Sequence, residues 1–364
     1  MKRNSIEQRR LRYYNLSSQL AQIDTAHLLS RFGSEETSHG WGRNHVLGLG
    51  SEKVFVKRVP VTDLEAENLF STANHYSLPT YYNYGVGSAG FGPFRELVAN
   101  IKTTNWVLAG EIATFPLLYH YRLVPQSGER APVDMDKHRS YVEYWGGNEN
   151  IGRYMLDRAA ASQELVLFLE HFPHVLKPWL QEHPDRTDEM VDELVESADF
   201  LRKKRIIHLD AHYYNIVTDG TRPYVTDFGL ALDRSFSLSE DERAFFKKHT
   251  YYDYGMILCC LPFLLDGPYE SLPEDQRRQL SAVYCKGSTD QGQIVWALFD
   301  NIKEIQASGA MSQSHGLLNC LMKHSDAIKL TQSFYSGLRE TKTHARFPQK
   351  KLRKLLTDTG ITPA

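Results

Sequence analysis

Short apolar runs in the first half of the chain predict β-strands. The run 54–56 stands directly before Lys57, and the run 165–169 stands directly before Glu170. Runs of this length, bounded by polar residues, are typical of strands buried in a sheet. The chain is therefore predicted to be β-rich near residues 46–57 and to contain a further strand that ends near Glu170.

Apolar residues at helical spacing predict helices over much of the remaining chain. Apolar positions in 94–108 recur at helical spacing, and Gly110 is a plausible end for that helix. Residues 189–204 follow the same pattern and end in basic residues, which favour the carboxyl end of a helix. A further apolar helix is predicted at 254–265.

Three weaker patterns also predict helices. Residues 5–32 have an intermittent apolar face and are expected to form two or three short helices. Residues 63–75 are a further candidate helix. The basic amphipathic stretch 350–356 is predicted to be a terminal helix docked through its leucines, with membrane or partner binding as the alternative.

A predicted hairpin carries the most informative polar residues. The segments 216–218 and 223–225 are expected to be strands joined across Asp219-Gly220, a dipeptide that suits a tight turn. Asn215 precedes this hairpin and Asp227 follows it, so both are expected at the same end of the strand pair. Carboxylate and amide oxygens are ligands that magnesium accepts.

A third polar residue completes the chemistry that this hairpin indicates. Asp210 lies five residues before Asn215, and Asp227 lies twelve residues after Asn215. Phosphoryl transfer needs magnesium near the phosphate oxygens and a carboxylate that orients the acceptor hydroxyl. The spacing therefore predicts Asn215 and Asp227 as magnesium ligands and Asp210 as the catalytic base.

The same residues resemble the protein-kinase-like superfamily, which includes protein kinases and aminoglycoside or choline phosphotransferases. Its catalytic loop is His-x-Asp-x-x-x-x-Asn and its metal motif is Asp-Phe-Gly. His208, Asp210 and Asn215 match the first motif, and residues 227–229 match the second. The resemblance implies an α+β, two-lobed kinase-like fold with a small β-rich amino-terminal lobe, a helical carboxy-terminal lobe, and ATP and Mg²⁺ as cofactors.

The resemblance also implies how a nucleotide would be held. Lys57 matches the lysine that grips the α- and β-phosphates, and Phe55 on the same strand face would stack on adenine or be a core residue. The segment from Glu170 to Phe172 resembles the connector whose backbone groups contact adenine.

Two parts of the implied nucleotide site stay open in the sequence. Gly40 and Gly42 partly match the glycine-rich phosphate loop, but the third glycine is absent and a flexible turn is an equal alternative. Glu96 is the favoured partner of Lys57, with Glu65 and Glu67 as alternatives. Lys57 and Glu170 lie far apart in the chain, so the resemblance implies a large insertion in the amino-terminal lobe.

Two departures from protein kinases affect the acceptor. No Ala-Pro-Glu sequence follows the metal motif, which leaves little room for a peptide-docking platform. His212 stands where antibiotic phosphotransferases often carry histidine, and it is included among the catalytic candidates. A hydroxyl acceptor is expected, with protein serine or threonine slightly ahead because of the insertion and a small alcohol close behind. A pseudokinase scaffold or an adenylyl transferase is the alternative from another class.

Composition sets broad limits on partners. The formal net charge of −2 gives no global field that favours nucleic acid or an anionic membrane. The four cysteines form no Cys-x-x-Cys pair and suggest reduced thiols rather than a zinc site. No signal peptide or membrane-spanning run is evident, so a cytoplasmic location is the default expectation. The expected domains are an N-terminal helical extension at 1–39, the amino-terminal lobe at 40–169 and the helical lobe at 170–364.

Overall fold

The computed structural model of the protein describes residues 5–32, 43–126, 132–342 and 345–361. It belongs to the α+β class, because an antiparallel sheet lies in the first half and helices dominate the second. The strands are Arg43–Leu49 (β1), Glu52–Val61 (β2), Leu118–Pro125 (β3), Gln163–Glu170 (β4), His174–Val175 (β5), Ile206–Ile207 (β6), Ile216–Thr218 (β7), Pro223–Val225 (β8) and Leu232–Asp233 (β9).

The helices occupy most of the remaining described residues. In chain order they are Ile6–Gln22 (α1), Thr25–Ser30 (α2), Asp63–Glu67 (α3), Pro93–Ala109 (α4), Met135–Tyr144 (α5), Glu149–Ala160 (α6), Leu176–Glu182 (α7), Thr187–Lys203 (α8), Glu240–His249 (α9), Tyr252–Cys259 (α10), Asp266–Glu270 (α11), Glu274–Tyr284 (α12), Gln291–Asp300 (α13), Ile302–Ser308 (α14), His315–Lys323 (α15), Ser325–Glu340 (α16) and Gln349–Asp358 (α17). None of the described helices is long and apolar enough to cross a membrane.

The main sheet has the strand order β1-β2-β4-β3, with every neighbouring pair antiparallel. Of the two central strands, β4 is buried on both faces, whereas β2 is fully buried on one face and partly buried on the face that carries Lys57. Side chains alternate between the faces of a strand, so burial on both sides requires an uninterrupted apolar run. This explains the continuous run 165–169.

One face of the sheet packs against the amino-terminal helices. Leu16 and Leu20 of α1 are fully buried in the same cluster as Val54 and Val56 of β2. Arg9 of α1 reaches the end of β4, where its guanidinium donates hydrogen bonds to a carboxylate of that strand. The expectation of short helices in 5–32 is confirmed, although α1 is longer than expected.

The opposite face packs against α4. Phe94 and Leu97 of this helix are buried against Leu165, Leu167 and other apolar residues of the sheet. The helix begins at Pro93, and the missing backbone N–H of proline costs no hydrogen bond in the first turn. It ends at Gly110, whose φ is 81°. The predicted helix at 94–108 is therefore confirmed, and it is fixed against the face that carries Lys57.

The helical part confirms one long helix and corrects two others. α8 covers the predicted segment 189–204 and buries its apolar stripe. The apolar segment 254–265 is not one helix, because α10 ends at Cys259 and Pro262 follows in a 3₁₀ turn. The candidate helix 63–75 is only the short α3, since the chain leaves helical geometry at Asn68.

The hairpin and the terminal helix were correctly predicted. β7 and β8 pair in antiparallel register with the predicted bounds, and residues 219–222 join them. α17 docks through Leu352 and Leu356, which are both fully buried. This is the structural role favoured for the basic stretch 350–356.

The insertion consists of two segments, 62–92 and 132–162, which pack together. The first leads from β2 to α4, and the second lies between β3 and β4. They share a small apolar cluster whose members include Tyr82, Phe91 and the fully buried Trp145. The insertion therefore has a core of its own beside the main sheet.

Candidate active site

The predicted catalytic loop, residues 208–215, is held by a buried carboxylate that the sequence did not reveal. Asp253 of α10 accepts hydrogen bonds from the backbone amides of His208 at 2.7 Å and Leu209 at 2.9 Å. Leu209 has φ of 67°, a left-handed conformation that is costly for leucine. Asp253 thus stabilises the strained backbone directly before Asp210. The sequence analysis missed this role because Asp253 belongs to an otherwise apolar helix. An acidic residue in such a helix was the signal that could have indicated it.

His208 is a buried structural residue. Its Nε2 donates to the backbone oxygen of Thr226 at 2.8 Å, and its Nδ1 accepts from the amide of Asp210 at 3.2 Å. Burial lowers the pKa of His208 to about 4, so the ring is neutral at physiological pH. The ring fastens the catalytic loop to the strand that leads to Asp227.

Lys57, Glu96 and Asp227 form an ion cluster between β2, α4 and the metal motif. Lys57 Nζ lies 2.7 Å from Glu96 Oε1 and 2.8 Å from Asp227 Oδ1. Burial opposes the charge of the lysine, but the two carboxylates outweigh it and raise the pKa of Lys57 above its ordinary value. Burial also raises the pKa of Glu96, despite the nearby ammonium group. The lysine is therefore permanently charged and fixed in position.

The two alternative glutamates lie elsewhere. Glu65 is buried and reaches back to Thr62, whose hydroxyl caps α3, in a reciprocal capping box. Glu67 is exposed at the end of the same short helix. Among the three candidates, the structure brings only Glu96 to Lys57.

The surroundings of Asp210 differ from those of Asp227. Asn215 Nδ2 donates to Asp210 Oδ2 at 2.9 Å, and no hydrogen bond to Oδ1 is made by the described residues. The side chain is 19% exposed. Burial and the charge of Asp227 raise the pKa of Asp210 to about 7. A carboxyl group with such a pKa can accept a proton near neutral pH.

His212 lies beside Asp210. Its Nε2 is 3.7 Å from Asp210 Oδ1, which is beyond direct hydrogen-bond distance. Its Nδ1 accepts from the amide of Tyr214 at 3.2 Å, and burial lowers the pKa of His212. The ring is therefore neutral with its proton on Nε2, and it borders the carboxylate as a neutral donor.

Asn215 and Asp227 are joined through Thr226. The amide and hydroxyl of Thr226 both donate to the backbone oxygen of Asn215 at 3.0 Å, which ties the two candidate metal ligands together. The Asn215 side-chain amide nitrogen faces Asp210, and its oxygen makes no hydrogen bond with the described residues. Asp227 uses Oδ1 for Lys57 and for the amide of Gly229.

These two side chains are a suitable donor set for magnesium. Burial raises the pKa of Asp227, but Lys57 more than offsets this, so its pKa is below the ordinary value and the group is ionised. The described residues contain no cluster of three or more His, Cys, Asp or Glu side chains that could hold a metal. Magnesium does not require one, since it commonly takes one or two protein oxygens together with phosphate oxygens and water.

The face of β2 that carries Lys57 also presents apolar side chains. Phe55 is partly buried against the cluster that includes Leu169. Its cross-strand partner is Val46, which is 54% exposed and was not among the sequence candidates. Antiparallel partners share a face, so Lys57, Phe55 and Val46 border the same side of the sheet.

Glu170 and Phe172 direct their side chains away from that face. The Glu170 carboxylate is buried and accepts from Arg9 at 2.6 Å. The Phe172 ring stacks on Tyr224 with 3.8 Å between ring centroids. Any nucleotide contact by this connector would therefore use the backbone. Gly40 and Gly42 lie outside the described residues.

A glycine-rich segment that the sequence analysis missed lies against the catalytic loop. Residues 85–92 read Gly-Val-Gly-Ser-Ala-Gly-Phe-Gly, so Gly85, Gly87 and Gly90 match Gly-x-Gly-x-x-Gly. A Cβ atom at Gly85 would lie 2.0 Å from Asp210 Oδ1, and one at Gly90 would lie 2.6 Å from the backbone oxygen of Gly229. The motif itself was a signal, but its position after β2 rather than before it gave no reason to connect it with Asp210.

Comparisons with known proteins add little to this geometry. No family model matches the chain, and no curated protein sequence matches it. A solved structure described as WaaP in complex with acyl carrier protein is similar over 86% of this chain and 95% of that chain, with 13% identity and a TM-score of 0.36. At this identity and TM-score, the arrangement of the site remains the basis for a function.

Proposed function

We propose that the chain is a kinase-like phosphotransferase that uses magnesium and ATP and transfers the γ-phosphoryl group to a hydroxyl. The observation that carries the proposal is the arrangement of the charged groups. Lys57 contacts both Glu96 and Asp227, and Asn215 holds Asp210 by a hydrogen bond. The raised pKa of Asp210, to about 7, agrees with a role as the base.

The nucleotide would be held between the sheet and the metal motif. Lys57, fixed by Glu96, supplies a permanent positive charge for phosphate oxygens. Phe55 and Val46 offer an apolar surface on the same sheet face for the base. Asn215 and Asp227 would hold magnesium, which when bound neutralises charge on the phosphate oxygens.

Transfer requires one bond to form and one to break. The acceptor oxygen attacks the γ-phosphorus, the bond from that phosphorus to the bridging β–γ oxygen breaks, and ADP leaves with the bond's electron pair. Asp210 accepts the proton of the acceptor hydroxyl. Asn215 keeps Asp210 Oδ2 in place through its amide hydrogen bond. The other oxygen, Oδ1, is buried, so the acceptor would approach Asp210 from the Oδ2 side.

A pair of labelled nucleotides tests this function. The purified protein is incubated with magnesium, an unfractionated cell extract that retains its small molecules, and ATP labelled in either the γ- or the α-phosphate. We expect acceptor labelling from the γ-label alone, and a loss of labelling when Asp210 is replaced by asparagine. Labelling from the α-phosphate would indicate adenylyl transfer instead, and absence of both labelling and magnesium-ATP binding would contradict the proposal.

The acceptor class depends on the insertion. The sequence preference for protein serine or threonine rested on the idea that an insertion might provide a docking surface. In the structure, the first insertion segment lies directly over Asp210 and Gly229. We therefore leave the Ser/Thr preference out of the proposed function.

A further inference from the structure

We propose that the glycine-rich loop 85–92 forms the acceptor side of the active site and restricts transfer to small hydroxyl compounds. This inference rests on the proposed phosphotransfer function. It concerns a loop that belongs to neither the catalytic nor the metal motif. Three features of the described residues support it: close contact with Asp210, anchoring of the loop, and coverage of the neighbouring surface.

The first feature is the contact at the base. Of the atoms near a Cβ built on Gly85, the two nearest are Asp210 Oδ1 at 2.0 Å and Asp210 Cγ at 2.9 Å. Glycine is required there because even one methyl group would overlap the carboxylate. Oδ1 is also the oxygen that lacks a hydrogen bond with the described residues, and His212 borders it. Oδ1 is buried beneath Gly85, although the Asp210 side chain as a whole is 19% exposed. Gly85 therefore closes one side of the base, and an acceptor hydroxyl would approach from the Oδ2 side.

The second feature is that the loop is firmly anchored. Tyr141 and Tyr144 of α5 donate hydrogen bonds to the backbone oxygens of Gly87 at 2.8 Å and Val86 at 2.7 Å. On the inner side, the amide of Ala89 donates to the Tyr82 hydroxyl at 3.0 Å. Both insertion segments therefore fix the loop, since Tyr82 belongs to the first and the two other tyrosines to the second.

A buried contact also anchors the start of the loop in the helical part. The Tyr84 hydroxyl donates to His249 Nε2 at 2.8 Å, because His249 Nδ1 already donates to the backbone oxygen of Phe245. Burial lowers the pKa of His249 to about 4, so this acceptor nitrogen stays unprotonated at physiological pH. The loop is held in place on both sides of Gly85.

The third feature is coverage of the chain that follows the metal motif. Gly90 packs on the backbone oxygen of Gly229. The amide of Ser237 donates to the hydroxyl of Thr72, in the first insertion segment, at 2.9 Å. Arg95, near the start of α4, forms a buried ion pair with Glu242 at 2.7 Å. The first insertion segment and α4 therefore cover the surface that an extended peptide would need beside the base, whereas a compact alcohol does not need that surface.

The test compares how label is distributed between acceptors of different size. A cell extract is separated into low-molecular-mass and macromolecular fractions, and each is incubated with γ-labelled ATP, magnesium and the protein. We expect the wild type to label the low-molecular-mass fraction. Predominant labelling of proteins by the wild type would overturn the inference while leaving the phosphotransfer function intact.

Loosening the loop should widen the range of acceptors. The double variant Tyr141→Phe/Tyr144→Phe removes both outer hydrogen bonds, and the bond between Tyr141 and Tyr82, without touching Asp210 or the metal ligands. We expect protein labelling and phosphate release to water to rise relative to small-acceptor labelling by at least about fivefold, on the order of the effect of losing one neutral hydrogen bond or more. Tyr14→Phe, an exposed position on α1, is the matched control and should behave as the wild type. An unchanged distribution in the double variant would overturn the inference.

A second variant tests the contact at Gly85 itself. Gly85 lacks a positive φ, so alanine is allowed by the backbone and only the collision with Asp210 opposes it. We expect Gly85→Ala to lower transfer to the small-acceptor fraction about 10- to 100-fold with magnesium-ATP affinity nearly unchanged, since small displacements of reacting groups have effects of that size. Gly337→Ala, in an open position on α16, is the matched control. Normal transfer by Gly85→Ala would contradict the proposed contact.

The proposed function can fail separately from this inference. If the wild type transfers no γ-phosphate to any fraction or to water, or if Asp210→Asn transfers as well as the wild type, the phosphotransfer proposal fails and the inference fails with it. If transfer depends on Asp210 but neither loop variant differs from its control, only the inference fails.

Discussion

The cleft contains two carboxylates, Asp227 and Asp210, whose surroundings differ in one decisive respect. Lys57 lies 2.8 Å from Asp227, and its charge more than offsets the effect of burial, so the pKa of Asp227 is lower than usual. Asp210 instead bonds the neutral amide of Asn215, and burial together with Asp227 raises its pKa to about 7. Because Lys57 contacts Asp227 and not Asp210, Asp227 stays charged, whereas Asp210 can accept a proton near neutral pH.

A substitution at Asp227 is the strongest test of this difference between the two carboxylates. We expect Asp227→Ala to abolish magnesium-dependent turnover, because removal of a metal's charge clamp costs several kcal/mol of transition-state stabilisation. Radiolabel transfer and calorimetric titration with magnesium-ATP provide the measurement. Asp275→Ala, an exposed carboxylate in α12, is the control. Unchanged binding and activity in Asp227→Ala, with a normal circular dichroism spectrum, would remove the metal assignment.

The next largest effect is expected at Asp210. Asp210→Asn keeps an oxygen that can accept from Asn215 but removes the basic carboxylate. Turnover should fall by about 10²- to 10⁴-fold, the usual contribution of a general base, while nucleotide affinity stays nearly constant. Steady-state turnover and calorimetric affinity are measured on the same preparation. A parallel loss of nucleotide affinity would make Asp210 a binding residue instead.

A substitution at Glu96 tests how the Lys57 charge is held in position. In Glu96→Gln, Lys57 keeps Asp227 as its partner but loses a buried charged hydrogen bond of 2.7 Å. We expect kcat/KM for ATP to fall roughly 10- to 100-fold, as for other hydrogen bonds to charged groups. Glu67→Gln is the matched control, because Glu67 is the exposed alternative that was considered from the sequence. Equal effects of the two substitutions would argue against a specific role for Glu96.

The pH dependence of transfer should reflect Asp210. The base is active when deprotonated, so kcat/KM for the acceptor should decrease about tenfold per pH unit below a midpoint. That midpoint should lie at or below the Asp210 pKa of about 7, because bound magnesium offsets the Asp227 charge that helps to raise it. The rate is measured from pH 5 to 9 at saturating magnesium-ATP. Asp210→Asn should lack this acidic limb. An acidic limb of the same midpoint in the asparagine variant would assign it to another group.

The smallest effect concerns stability and needs no acceptor. The folded-state pKa of Asp210 is about 7, above the value of about 3.9 for an unfolded aspartate. The folded state therefore binds more protons between these values, and this group makes the protein less stable as the pH rises through that window. Asp210→Asn should have a higher Tm than the wild type at pH 8 and nearly the same Tm at pH 4. A constant difference at both pH values would contradict the raised pKa.

Local spacing was enough to identify the central polar residues of the site. Asp210, Asn215 and Asp227 border one short hairpin, and a hairpin necessarily brings its two ends together. The apolar run 165–169 likewise predicted a buried strand, since alternation disappears when both faces of a strand are covered. These predictions needed only the geometry of neighbouring residues.

The ends of helices and contacts between distant residues were harder to predict from the spacing of neighbouring residues. The segment 254–265 is apolar throughout, yet Pro262 interrupts it. Asp253, directly before that segment, accepts hydrogen bonds from the backbone of the predicted catalytic loop. Hydropathy alone could not distinguish a helix that is buried from one that also holds a strained backbone. The favoured pairing of Lys57 with Glu96 depended on a resemblance, because 39 residues separate the two in the chain.

The sequence by itself determined the residue types of the site and the hairpin that carries three of them, because these depend on short-range geometry. Only the tertiary structure decided which glutamate meets Lys57 and where the glycine-rich loop lies. Gly85 reaches Asp210 because the two insertion segments share a core and because Tyr84 is anchored at His249, 165 residues further along the chain. No local pattern encodes such a contact, since its free energy comes from burying surfaces that are distant in the sequence.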